Sequence, residues 1–129
     1  MREEIKNWWK QAVRDIKTAE NSFKSRDYYA SVFWCQQTLE KGLKAYIMHS
    51  KKISPRELNF HSLIKLARIA KIIPEFHPFL RSISPEYYIS RYPDASEETP
   101  YELYTEDDAE FIPDKSKEII KWLDMKIKK

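Results

Sequence analysis

From residue 2 to about residue 24 the apolar positions recur every three or four residues, as Ile5, Trp8/Trp9, Ala12/Val13, Ile16, Ala19 and Phe23. That spacing lays one stripe along a helix. A turn at Ser25-Arg26-Asp27 follows, and Asp27 is placed to cap a second helix reaching about Ser50, with its stripe at Ala30, Phe33, Cys35/Gln37, Leu39, Leu43 and Tyr46/Ile47. At 1.5 Å per residue each helix runs roughly 35 Å, and the short turn between them dictates an antiparallel hairpin. Residues 51–59, with Ser54-Pro55, read as a surface connection to a shorter helix that begins near Phe60-His61-Ser62 and carries Leu63, Leu66, Ala67 and Ile69/Ala70. Pro74 stops that helix or closely follows its end, and Pro78 marks the first turn of one more short helix within residues 75–84. Thr105 with Glu106, Asp107 and Asp108 is an N-cap and acidic first turn for a last helix. Ala109, Ile112, Ile119/Ile120, Leu123 and Ile127 face inward along it, and Pro113 is expected to kink or break it near its start. The pattern predicts an all-α fold: one domain over residues 1–129, an antiparallel bundle of four to five helices built on a long central hairpin.

Residues 84–104 differ in kind, concentrating Pro85, Pro93 and Pro100 among Tyr87, Tyr88, Tyr92, Tyr101 and Tyr104. Long proline-punctuated segments inside compact domains are usually functional or mobile. Its first part is expected to be ordered and its tip to be the least ordered part of the chain.

Composition removes several function classes. The chain has one glycine, Gly42, so the glycine-rich loops that cradle phosphate in Walker and Rossmann sites are absent. The one cysteine, Cys35, excludes an internal disulfide and a paired-cysteine zinc site, and reads as a buried packing thiol. None of His49, His61 and His77 has a glutamate three residues before it, the spacing that bundle-core metal sites use, so no metal or cofactor is expected. The first ten residues lack the pattern of a signal peptide, and no apolar run matches a membrane span, which points to a cytoplasmic protein without a membrane partner. The net charge of +3 hides an asymmetry: residues 94–110 hold eight carboxylates and no Lys or Arg, leaving 23 basic residues against 12 of the 20 acidic ones, a net +11, on the remainder. A basic body of this kind attracts polyphosphate or nucleic acid, and the acidic segment can cover it or face a basic partner, although charge of this sort also serves solubility.

Three stretches in fixed order carry a resemblance. Gln36-Gln37-Thr38-Leu39-Glu40-Lys41-Gly42-Leu43-Lys44-Ala45 on the second helix, Phe60-His61-Ser62-Leu63-Ile64-Lys65-Leu66 at the third, and Ile89-Ser90-Arg91-Tyr92-Pro93-Asp94 in the tyrosine-rich segment are together similar to the signatures of the HEPN family. Glu40 and Lys44 alone would be an ordinary i,i+4 pair on an exposed helix face; the ordered co-occurrence makes the match specific. The resemblance implies a helical bundle that works on or beside nucleotides and nucleic acid, usually as a homodimer. The resemblance also implies that many members are metal-independent endoribonucleases with an arginine and a histidine separated by four to six intervening residues. In such sites the histidine handles a proton and the arginine stabilises charge on phosphate. Arg91 is followed by Tyr92-Pro93-Asp94-Ala95-Ser96-Glu97-Glu98 without histidine, so the chain leans away from enzymes. Arg56 and His61 have the literal spacing, but ahead of the third helix, where His61 is expected to cap or anchor that helix.

The branch that keeps Arg-Tyr-Pro without the histidine resembles nucleotide-binding HEPN modules and the HEPN partners of minimal nucleotidyltransferases in toxin–antitoxin-like pairs. The resemblance thus implies a dimeric module that binds nucleotide or RNA, pairs with a separate nucleotidyltransferase, or does both. The alternatives are a ribonuclease with a displaced site and a purely structural dimerisation or adaptor domain. Arg91 is the first candidate contact, since an arginine fork binds phosphate in bidentate fashion and Tyr88 and Tyr92 can stack on a base; tying the loop to Asp94 is its structural alternative. Lys41, Lys44 and His61 can complete a polar cluster, and each lysine taken singly reads as solvated surface. Adjacent Trp8 and Trp9 cannot both enter one stripe, so one is available to a second subunit; Trp34 and Trp122 read as core or interface.

Overall fold

The computed structural model describes residues 2–89, 92 and 99–128. Two long helices, α1 (Glu3–Lys24) and α2 (Tyr28–Lys51), form the expected hairpin. Its close approach is built from small residues and hydroxyls: the Ser31 hydroxyl donates to the Ala19 carbonyl at 2.8 Å, and the Thr38 hydroxyl to the Ala12 carbonyl at 3.0 Å. Both alanines are fully buried, so backbones approach where larger side chains would hold them apart. Asp27 stands at the N-cap of α2 but makes no side-chain capping bond there. Cys35 is buried, and burial pushes its thiol up to about 12 against a weaker opposing hydrogen bond with Ser116, so the group packs and does not react.

After α2 a 3-10 turn (Pro55–Leu58) drops Leu58 into the core. Helix α3 (Leu63–Ala70) follows, capped by the Ser62 hydroxyl, which accepts from the Lys65 amide at 3.2 Å. A second 3-10 turn (Pro74–Phe76) leads into α4 (His77–Ile83), with Pro78 in its first turn as expected. Single-turn helices α5 (Glu86–Ile89) and α6 (Pro100–Leu103) precede α7 (Glu106–Ile127). Thr105 and Asp108 form a reciprocal capping box at its start. Of the kink or break expected at Pro113, the break does not occur, and α7 runs on through it. The proline is itself buried, and Ala109 before it and Ile119, Leu123 and Ile127 after it are held in the core, which outweighs one missing ladder bond.

Helix α2 lies at the centre, against α1, α7 and α3, and is buried on more than one side. The expected stripe is therefore shifted at its start: Ser31, Val32 and Cys35 are buried, whereas Ala30 and Phe33 are half-buried. Gly42 faces α7, where an added Cβ would come 2.7 Å from Ile120 Cδ1. A larger residue at this position would have to displace the end of the Ile120 side chain. On α1, Val13 is 46% exposed and does not join the stripe, while Trp8 and Trp9 both pack half-buried against the core. Among the described residues no helix is long and apolar enough to cross a membrane.

Candidate functional site

The first quoted stretch places Gln36, Glu40 and Lys44 four residues apart, one polar line along α2. That line is buried, not exposed: Glu40 is 6% and Lys44 5% exposed. The reading of Lys44 as solvated surface, and of its pairing with Glu40 as an exposed i,i+4 contact, is thereby corrected. Helices α1 and α3 and the Pro55–Leu58 turn close over this side of α2, which no local pattern on α2 records.

A buried carboxylate persists only with donors around it. Glu40 has three sources: Gln36 Nε2 at 3.0 Å on Oε1, Lys44 Nζ at 2.9 Å on Oε2, and His61 Nδ1 at 3.0 Å on Oε2. Gln36 is fixed in turn by a bond from Gln37 Nε2 at 2.8 Å. Burial alone would raise the Glu40 pKa, but these hydrogen bonds and the charge of Lys44 outweigh it and hold the carboxyl below its ordinary value. The ionised group accepts only, so the proton of this contact sits on His61 Nδ1. His61 therefore anchors the start of α3 to α2, while Ser62 caps it.

His61 is also covered from one side. Its ring stacks on Tyr87 with centroids 3.7 Å apart and planes 11° from parallel. The Ser84 hydroxyl accepts from the Leu63 amide at 2.9 Å, which ties the end of α4 to the start of α3 and sets α5, with Tyr87, over His61. Tyr88 meets Tyr87 edge-on at 5.0 Å and is, like Tyr92, exposed. The His61 side chain keeps about a third of its surface in solvent (34%), and with Nδ1 turned to Glu40, its Nε2 is the nitrogen left for a ligand.

The expected cluster of Lys41, Lys44 and His61 is split. Lys44 and His61 share Glu40, but Lys41 pairs with the buried Asp15 on α1, which also accepts from Gln11 Nε2 at 2.8 Å. One position is a step of about 100° around a helix, so Lys41 faces α1 while Glu40 faces α3. Arg91 and Asp94 lie outside the described residues. Glu40, Gln36 and Tyr87 are site residues that the sequence reading does not single out. For the first two a signal exists, as a polar line at four-residue spacing on an otherwise apolar helix; Tyr87 is indistinguishable in sequence from its neighbouring tyrosines. Among the described residues no group of three or more His, Cys, Asp or Glu is placed to hold a metal ion.

The fold has close counterparts among solved structures. The crystal structure of TT1696 from Thermus thermophilus superposes with a TM-score of 0.85 at 22% identity, covering 97% of this chain and 99% of that one, and shows the fold alone. ST0689, described as an archaeal HEPN homologue, superposes with a TM-score of 0.80 at 28% identity, covering 98% and 99% respectively. No curated protein matches the chain. The family model of the HEPN domain matches residues 5–127, which takes in all of the helices described above but the first two residues of α1, and the whole Glu40–Lys44–His61 cluster, and the chain therefore belongs to the HEPN domain family.

Proposed function

We propose that this HEPN domain is a binding module for nucleotide or nucleic-acid phosphate, with no bond-making groups of its own, and that its site is the corner where α2, α3 and α5 meet. The observation that supports this most is the buried Glu40 carboxylate drawing Lys44 and His61 together beneath the His61–Tyr87 stack. Glu40 fixes the geometry of two donor-bearing side chains, and the adjoining tyrosines offer faces to a base. Because the Lys44 charge is already balanced by Glu40, Lys44 can offer phosphate hydrogen-bond donors, and the net attraction comes from charges beyond this pair. Arg91 belongs to the proposal on sequence grounds, three positions after Tyr88, with Tyr92 and Asp94 beside it. Lys41, engaged by Asp15, belongs to the neighbouring surface and not to the corner. In this reading the domain acts as a homodimer and pairs with a separate nucleotidyltransferase in a toxin–antitoxin-like system.

One observation favours a second reading. A carboxylate that orients the Nδ1 of a histidine leaves Nε2 poised for proton transfer, which is the arrangement a ribonuclease needs. Calorimetric titration of ATP, GTP and a short RNA into the full chain separates the two. The binding module predicts measurable affinity that falls at least tenfold in His61→Ala and in Arg91→Ala, with the RNA intact afterwards. Absence of binding at millimolar ligand sinks it, and RNA cleavage that disappears in His61→Gln establishes the enzyme instead.

A further inference from the structure

Lys44 connects the Glu40 cluster to a second part of the surface. The Lys44 ammonium that bonds Glu40 Oε2 also lies 5.5 Å above the centroid of the Trp8 ring. Trp8 of α1, Lys44 of α2 and the segment 55–59 line an open cleft of about 500 Å³, whose lining is Trp8, Lys44, Pro55, Arg56, Leu58 and Asn59. Trp8 also walls a smaller hollow of about 240 Å³ with Asn7, Gln11 and Lys41. Lys44 lines this cleft, and its Nζ and His61 Nδ1 meet the same carboxylate oxygen, at 2.9 and 3.0 Å, so one residue, Glu40, links the cleft to the corner described above.

The lining of the cleft has groups that complement a nucleotide. Its volume falls in the range of roughly 300–1,000 Å³ that small-molecule sites occupy. Lys44 is buried and carries three N–H donors, and Glu40 is the one hydrogen-bond acceptor that the described residues give it. An apolar occupant would leave the remaining donors unmet; a phosphate oxygen would not. Arg56 stands exposed at the rim, makes no ion pair among the described residues, and offers the planar fork that fits phosphate. The Trp8 indole offers an aromatic wall for a base, and the exposed Asn59 amide can meet a base edge. We propose that this cleft is a second nucleotide subsite continuous with the corner at His61, so that the ligand of the domain is a single-stranded oligonucleotide and not a mononucleotide. The proposal rests on the functional reading above and gives its ligand a minimum length.

The test compares UMP with tetranucleotides of uridine and of deoxythymidine in titrations of the full chain. Stacking and phosphate contact for one further nucleotide are worth roughly ten- to a hundredfold in affinity. The expected result is a tetranucleotide at least tenfold tighter than UMP, with that gain lost in Arg56→Glu and in Trp8→Ala, while His61→Ala weakens UMP and tetranucleotide alike. Arg56 is exposed, so its variant keeps the fold even where Trp8→Ala does not, and a thermal melt confirms which variants are folded. The ribose and deoxyribose arms identify which strand is preferred, and either supports the proposal. Equal affinity for UMP and the tetranucleotides, or a gain untouched by Arg56→Glu, overturns it while UMP binding sensitive to His61→Ala leaves the corner site standing. Oligoglutamate of matching charge that binds as tightly as the tetranucleotides also overturns it, in favour of an acidic peptide. Failure of every nucleotide to bind overturns both readings together.

Discussion

Glu40 and Glu86 are both glutamates largely withdrawn from water, one in the middle of α2 and one at the start of α5, and their surroundings push them in opposite directions. Burial opposes the charge of each. At Glu40, bonds from Gln36, Lys44 and His61 and the Lys44 charge overcome that cost, and the carboxyl stays below its ordinary pKa. At Glu86, beside Ile89, Leu103, Tyr104 and Ile112, burial prevails and raises the pKa to about 7. At Glu40 the bonds and the Lys44 charge decide the direction, whereas at Glu86 burial decides it. Of the two, Glu40 is the one whose neighbourhood favours the charged form.

The most direct way to break the contrast is to remove the charge that the donors surround. Glu40→Ala leaves Lys44 buried with its counter-charge gone, a loss on the order of 3–5 kcal/mol. That is a large part of the stability of a domain this size, and chemical denaturation should register it as a lower midpoint with an unchanged slope. Removing both charges is a sharper probe. Glu40→Leu combined with Lys44→Met should recover most of the loss, since a buried ion pair replaced by apolar groups of similar volume is close to neutral. A double variant as unstable as Glu40→Ala would mean that the shape of the corner, rather than its charge balance, holds α3 to α2.

The next effect is smaller and depends on pH. The Glu40 pKa is lower folded than unfolded, so its contribution is fully present above the unfolded carboxylate value of about 4.3 and is lost as pH falls through the folded value. Glu40→Gln abolishes this titration. The stabilities of wild type and variant should therefore differ most near pH 7 and converge as pH falls below about 4. A gap that stays constant through the acid range would show that the ionised form of Glu40 is not the one the fold prefers.

These residues also mark how far the sequence can be read. The hairpin, the Thr105 cap and the short helix at Pro78 depend on local spacing and local hydrogen bonds, and they stand where the pattern puts them. The break expected at Pro113 does not occur because its rescue is tertiary: the flanking turns are held by a core that the local rule ignores. Burial of Glu40 and Lys44 is hidden for a related reason. An i,i+4 pair looks the same on any helix, and only the return of α3 and the Pro55–Leu58 turn encloses this one. The Asp15–Lys41 pair joins two helices, so neither stripe alone predicts it. Tyr87 reaches His61 through the Ser84–Leu63 bond, a contact across 21 positions that no spacing rule supplies.

The smallest effect lies at the other glutamate and carries the opposite sign. Because the Glu86 pKa rises on folding to about 7, the folded state binds more protons than the unfolded chain between about pH 4.3 and 7. Stability should therefore be complete below that interval and decline as pH rises through it, which is the reverse of the Glu40 behaviour. Glu86→Gln keeps the shape of the side chain and removes the ionisation. At pH 8 the variant should melt a few degrees above wild type, a gain on the order of 1 kcal/mol after allowance for solvent screening, and at pH 4 the two should coincide. Melting curves at these two pH values suffice. A variant less stable than wild type at pH 8 would mean that Glu86 is held charged by its surroundings, as Glu40 is, and the contrast between the two carboxyls would vanish.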